Sequence, residues 1–301
     1  MTKLRISVVQ YLNTAPLVRG FTHGALRGKY DLSFTVPSQC AEALRTGAAD
    51  VAIIPAIEYQ RIVSQGVPLT VLPGLAIASK ERVRSLLLIS RVPIRQARRI
   101  ALDPSSRSTQ ALVKILAAKH WQIAPEFFEP AAPVENGLDT MLGDADAALI
   151  IGDAALRIAI AAEAQPSPFH IYDVVTEWRH LTERPAVLAI WAARNDSFVK
   201  NVVPADITSE FLASCDFGVR QIPQIAAEAA HEMQLPEKDL RLYLEKNIDY
   251  TLDQENLEGL QRFYALSSNL GITGPLQPLA IATAPHSSMQ YIDQVVAQKH
   301  G

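Results

Sequence analysis

The sequence predicts an α/β protein of two lobes with a ligand cleft between them, followed by a helical C-terminal region. Three observations lead there. The runs Gly47-Ala-Ala-Asp50-Val-Ala-Ile-Ile and Gly143-Asp-Ala-Asp146-Ala-Ala-Leu-Ile share one signature: a short helical pattern ends at a glycine, an acid follows three residues later, and an apolar run reads as a strand buried on both faces. Its recurrence points to two lobes built to one plan. The 301-residue chain also exceeds what one compact α/β core usually holds. Finally, from residue 205 onward the pattern is almost wholly helical.

The first strand covers residues 4–9 and runs into Tyr11-Leu-Asn13-Thr-Ala-Pro16, whose Asn, Thr and Pro favour a turn and a new helix start. Residues 30–36 alternate like a strand, Ser38 caps a helix that runs to Arg45, and residues 51–54 form the next strand, which is βαβ logic. After the apolar strand at 86–89, Pro93 breaks the pattern, and the crossover to the second lobe is placed there. The second lobe takes a strand at 99–102, a helix at 109–119, a strand at 147–151 and a strand at 186–191 that returns to the first lobe. Helices at 209–219, 225–233, 238–246 and 254–267 follow, punctuated by Pro223, Pro236 and Gly271, and are expected to pack on the first lobe. The expected division is 1–88 with 192–301 for lobe one and 89–191 for lobe two. A discontinuous lobe, an inserted lobe and two connections between them describe the type II fold of periplasmic solute-binding proteins.

Composition narrows the function. With 28 basic and 31 acidic residues spread along the chain and a net charge of −3, there is no electrostatic footprint for nucleic acid. No apolar run approaches the ~20 residues that span a bilayer. The N-terminal residues enter a strand pattern at once, without an apolar segment or small-residue cleavage site, and Cys40 and Cys215 fall on separate helical patterns, so a cytoplasmic protein is expected. The seven histidines form no i, i+4 pair around an acid and no CxxC occurs, so no metal is expected. The glycine and serine motifs of a nucleotide-binding loop, a dinucleotide fold or a nucleophile elbow are also missing.

The richest candidate site follows the strand at 99–102: Asp103-Pro-Ser105-Ser106-Arg107-Ser108-Thr109 opens an amphipathic helix. Helix N-terminal N–H groups, four hydroxyls and a guanidinium gathered at one turn suit a carboxylate. A single serine there reads as a helix cap, as Ser106 or Ser108 would, but four hydroxyls and an arginine exceed capping needs. Asn13 follows a buried strand and either points its amide into the cleft or bonds its own backbone. Ser85 begins the strand at 86–89, where a small residue suits a lobe interface equally well, and the Arg84 beside it pairs with a ligand carboxylate or with solvent. Gly152 and Asp153 end the lobe-two strand as Pro55 ends that of lobe one; Asp153 reads first as a cap for the helix holding residues 154–158. The set is rich in neutral donors and poor in titratable bases.

Several long motifs in order resemble the chorismate dehydratases of the futalosine route to menaquinone. They are Tyr11-Leu-Asn-Thr-Ala-Pro-Leu17, Ala49-Asp-Val-Ala-Ile-Ile-Pro55, Arg84-Ser-Leu-Leu-Leu-Ile-Ser-Arg-Val-Pro-Ile94, Ala101-Leu-Asp-Pro-Ser-Ser-Arg-Ser-Thr109, Ala145-Asp-Ala-Ala-Leu-Ile-Ile-Gly-Asp-Ala-Ala-Leu156, and Glu177-Trp178 through Trp191. The resemblance implies a solute-binding fold recruited as a lyase that removes water from chorismate to give 3-[(1-carboxyvinyl)oxy]benzoate, with no cofactor and no metal. It implies Asn13 and Ser85 as catalytic residues, with Tyr11, Pro55, Arg84, Ser105, Ser106, Arg107, Ser108, Thr109, Gly152 and Asp153 around the substrate. Because the matched motifs hold no Glu or His at the reacting position, the substrate's own enolpyruvyl carboxylate is the expected base. The sister naphthoate synthase carries a histidine where this chain reads Ile151-Gly152-Asp153, which favours the dehydratase. One departure is Glu183-Arg-Pro-Ala186, where the family has Gly-Leu-Pro-Phe, a loss of an aromatic expected to widen the pocket. A non-catalytic carboxylate-binding protein and another synthase of the same fold remain alternatives.

Overall fold

The computed structural model describes residues 3–130, 138–198 and 203–283. The chain enters β1 (Arg5–Val9), a 3-10 turn (Leu12–Thr14), α1 (Ala15–Thr22), β2 (Asp31–Thr35), α2 (Pro37–Thr46), β3 (Val51–Pro55), α3 (Ala56–Ser64) and the long β4 (Leu69–Ser79). It crosses into β5 (Leu86–Ser90), β6 (Arg99–Ala101), α4 (Arg107–Leu116), β7 (Glu126–Phe128), α5 (Leu138–Leu142), β8 (Ala147–Ile151), α6 (Gly152–Ala164), β9 (His170–Asp173) and α7 (Val174–Thr182), and returns through β10 (Ala186–Arg194). The rest is helical: α8 (Ala205–Arg220), α9 (Ile222–Met233), α10 (Glu237–Leu242) and α11 (Gln254–Asn269), with single π-helical turns after α4 (Ala117–Trp121) and after α10 (Tyr243–Asn247).

The strands form two five-stranded sheets, β2-β1-β3-β10-β4 and β7-β6-β8-β5-β9. Each combines a parallel βαβ core with one antiparallel intruder: β10 lies between β3 and β4, and β5 lies between β8 and β9. The repeated sequence signature has one structural meaning in both sheets. Gly47 and Gly143 take left-handed φ of 78° and 44°, which lets the chain reverse out of a helix at little steric cost. The following acid then ties the new strand to its parallel neighbour. Asp50 accepts the backbone N–H of Arg5 at 2.9 Å beside β1, and Asp146 accepts those of Arg98 and Arg99 at 2.7 and 3.0 Å beside β6.

The crossover is not at Pro93. Strand β5, read as the last of the first lobe, pairs with β8 and β9 of the second sheet, so the chain changes sheets between Ser79 and Leu86. All of β10 through Arg194 belongs to the first sheet. An apolar strand buried on both faces carries no mark of the sheet it joins. Pro93 instead starts a 3-10 turn within the second lobe. The segment between β4 and β5 is gripped by Asp173, whose carboxylate accepts N–H groups from Val83 and Arg84 on one side and from Val175 and Thr176 at the start of α7 on the other.

The C-terminal helices pack on the first sheet's side. Trp191 of β10 meets Phe211 of α8 edge to face at 4.9 Å, and Phe211 meets Phe21 of α1 at the same distance. Helices α1 and α8 approach so closely that a Cβ on Gly218 would stand 1.9 Å from the Pro16 carbonyl oxygen, so only glycine fits. Among the described residues no helix is long and apolar enough to cross a membrane.

Candidate active site between the lobes

The cleft holds a cavity within a space of about 500 Å³ that includes the solvent open at its mouth, lined from both lobes. Its apolar walls come from strands: Val9, Ile53 and Ile77 from the first sheet, Leu86 and Ile151 from the second, and Leu188 and Ala189 from β10. Its polar lining is Tyr11, Asn13, Thr14, Ser85, Ser106 and Thr109.

Helices start at this wall. Tyr11 precedes the 3-10 turn, Pro37 opens α2, Pro55 precedes α3, Ser106 precedes α4, and Ile151 and Gly152 open α6; all of them line the cavity. None of these starts carries a side-chain cap. Ser106 takes the cap position, but its hydroxyl bonds to Thr109 Oγ1 at 2.7 Å. Helix dipoles converging on one space favour an anion there without any basic side chain.

Among the described lining residues Tyr11 alone is titratable, apart from weakly acidic hydroxyls. Burial pushes its phenol up to about 12, against the opposing pull of the Ser105 side chain, so it is neutral at ordinary pH. Ser85 is tied on two sides. Its carbonyl accepts the N–H of Gly152 at 2.8 Å, and its hydroxyl accepts from Tyr243 at 2.9 Å.

Of the residues expected around the substrate, the structure brings Tyr11, Asn13, Pro55, Ser85, Ser106, Thr109 and Gly152 to the cavity wall. The other five do not line it. Arg84 is fully buried and turned away, bonded to Glu163 at 2.6 Å and to the Asp239 carbonyl, in a left-handed backbone (φ 65°) held by Asp173. Arg107 pairs with Glu58 of the first lobe at 3.0 Å, and Ser108 Oγ accepts the N–H of Ile57, so both join the lobes. Ser105 closes a turn on Asp103 through its N–H and hydroxyl at 2.8 and 2.6 Å. Asp153 does not cap its own helix; its carboxylate accepts the N–H of Leu12 across the cleft at 3.2 Å. Ala186 is buried opposite Ser79 and does not line the cavity, so loss of an aromatic there does not widen the described pocket.

Thr14, Pro37, Ile77, Leu188 and above all Tyr243 went unread in the sequence. Ile77 belongs to β4, whose long run was not recognised as a strand, and Tyr243 reaches the site from the C-terminal helices over a sequence distance that no local pattern reports. Away from the cavity, His120, Glu177 and His180 bring one potential ligand atom each within 4.8 Å of the others, an arrangement that an i, i+4 search does not find. Trp121 Nε1 donates to the same Glu177 oxygen that His120 contacts. His286 and His300 lie outside the described residues.

Fold and cavity together define a two-lobed α/β protein of the periplasmic-binding-protein type. Its backbone superposes on a protein of Archaeoglobus fulgidus with a TM-score of 0.67 at 14% identity, covering 90% of this chain and 98% of that one. It superposes on the periplasmic aliphatic sulphonate binding protein SsuA of Escherichia coli with a TM-score of 0.59 at 18% identity, covering 91% and 94%. Within that fold the chain belongs to the menaquinone biosynthesis family, which matches residues 4–269. It is 26% identical over 270 residues to the chorismate dehydratase of Thermus thermophilus, 86% of this chain and 93% of that one.

Proposed function

We propose that this protein dehydrates chorismate to 3-[(1-carboxyvinyl)oxy]benzoate, with the substrate supplying its own base. One observation carries the reading: a cavity ringed by helix N-termini and neutral donors, whose one strongly shifted titratable group, Tyr11, is a phenol held near 12. Such a site attracts a carboxylate yet offers no side chain able to take a proton at neutral pH. Similarity to a chorismate dehydratase supports the same substrate.

The chemistry fits that inventory. In chorismate the proton on the ring carbon that bears the enolpyruvyl ether passes to the enolpyruvyl carboxylate of the same molecule. The electron pair left behind spreads through the diene onto the ring carboxylate, where Ser106, Thr109 and the start of α4 stabilise it. The pair then forms the ring double bond as the neighbouring hydroxyl leaves, and that hydroxide takes back the proton as water. Atoms balance as loss of one water, and the ring becomes aromatic. Asn13 and Ser85, which line the same cavity, orient the enolpyruvyl group and the leaving hydroxyl, so rate comes mainly from geometry and fixed dipoles.

A second reading is a carboxylate-binding protein without chemistry, favoured by the same lack of acid and base groups and by a fold shared with sulphonate binding. Incubating the purified protein with chorismate and following the mixture by mass spectrometry separates the two. The dehydratase yields an aromatic product lighter by one water, whereas a receptor binds chorismate and returns it unchanged.

A further inference from the structure

We infer that Tyr243, from the C-terminal helices, is a positioning residue that sets the direction in which Ser85 gives its hydroxyl proton, by donating its own phenol proton to that hydroxyl. The inference rests on the proposed dehydration and adds a third element to its site.

Tyr243 opens the π-helical turn that ends α10, in a part of the chain that belongs to neither sheet. Turns of this kind occur where a side chain has been re-aimed, often at functional sites. Here the ring is buried and points its hydroxyl to Ser85 Oγ at 2.9 Å. Two segments far apart in sequence therefore meet at one hydroxyl: the link between β4 and β5, and the C-terminal helices.

Directionality follows from counting protons. A serine hydroxyl has one proton and two acceptor sites. With the Tyr243 O–H filling an acceptor site and the Ser85 carbonyl engaged by Gly152, the one proton of Ser85 is free to point into the cavity. Burial raises the phenol well above its ordinary value, so it does not ionise in any ordinary buffer and stays a donor. A phenol that gives to a serine strengthens that serine as a donor. That donor is the one placed to hold an oxygen of the bound molecule. Removing the phenol oxygen leaves Ser85 free to turn its proton elsewhere.

The test is the Tyr243→Phe protein, alone and combined with Ser85→Ala, assayed on chorismate. Tyr243→Phe is expected to lower kcat at least about 10-fold with KM within about twofold, and in the Ser85→Ala background the same change is expected to cost less than about twofold. A general structural role for the ring predicts equal losses in both backgrounds, and that result overturns the inference. So does a Tyr243→Phe protein with wild-type kcat, or one that fails to fold, since a hydroxyl needed for folding is not confined to aiming Ser85. A wild-type protein that leaves chorismate unchanged removes the proposed function; an active wild type with an equally active Tyr243→Phe removes this inference alone.

Discussion

Arg107, at the first turn of α4, donates to the buried carboxylate of Glu58 on α3 over 3.0 Å, and so ties the second lobe to the first beside the cavity. Next to it, Ser108 Oγ accepts the N–H of Ile57 at 3.1 Å. Residues that read as ligand-binding thus hold the cleft shut. Because Arg107 is 41% exposed, solvent screening limits its pair to about 1 kcal/mol. Removing it weakens the closed form by that amount, and ligand affinity falls in proportion to the closed population. Arg107→Ala is expected to raise KM about fivefold with kcat within about twofold, read by steady-state kinetics. A larger loss in kcat than in affinity would place Arg107 on the substrate instead.

Gly152 lies under the Tyr11 ring. A Cβ there would stand 2.9 Å from Tyr11 Cε1, and the residue's φ of 65° is itself unfavourable for any side chain. The clash joins the two lobes, so it acts mainly on closure. Gly152→Ala is expected to lower kcat/KM at least about 10-fold while backbone strain costs only ~1–2 kcal/mol of stability. Adding Tyr11→Leu should recover part of the activity by making room. Kinetics and thermal melts on both proteins check this, and no recovery in the double variant would trace the defect to the strained backbone rather than to the ring.

Asn13 serves the cavity rather than the wider fold. It lines the wall and accepts from the neighbouring Thr14 hydroxyl at 3.3 Å. One well-placed donor is worth ~10²-fold in rate. Asn13→Ala is therefore expected to lower kcat about 10²-fold with a melting temperature close to wild type. A variant within a few-fold of wild-type kcat would remove Asn13 from the mechanism.

What was legible in the sequence was what local chemistry encodes. The glycine of each lobe announced its role, because a left-handed helix end is a local feature, whereas the acid three residues on was noted without its role, a bond to the neighbouring strand of the same βαβ unit. Asn13, Ser85, Ser106 and Thr109 were legible because loops at strand ends face a cleft in such a fold. Arg84, Arg107, Ser108 and Asp153 were assigned to the ligand because a sequence does not say whether a polar group at a cleft turns inward or across to the other lobe. Each found its partner in another part of the chain: Glu163, Glu58, Ile57 and Leu12. Tyr243 was hidden for the same reason.

Asp153 makes stability depend on pH. Burial raises its carboxyl above the ordinary 3.8, against the downward pull of the Leu12 N–H and of Arg157. Asp103 and Asp173 are raised by burial too. A carboxyl that holds its proton more tightly folded than unfolded adds stability that is fully present below its unfolded value. That stability is lost as pH rises through the raised folded value. In the window above about 4, these three residues therefore make the protein less stable as pH increases. Carboxylates held low by arginines, such as Glu228 beside Arg19 and Asp196 beside Arg194, act with the opposite sign, at and below their ordinary values of 4.5 and 3.8. Asp153→Asn removes one buried charge while its amide oxygen is still able to accept from Leu12. Melting temperatures measured from about pH 4.5 to 8 are expected to fall less steeply in the variant, which melts no lower than wild type at the alkaline end. The slope does not vanish, because Asp103 and Asp173 remain. An Asn variant that keeps the full wild-type slope would show that Asp153 is ionised at no cost in the folded protein, and that its bond to Leu12 fully offsets its burial.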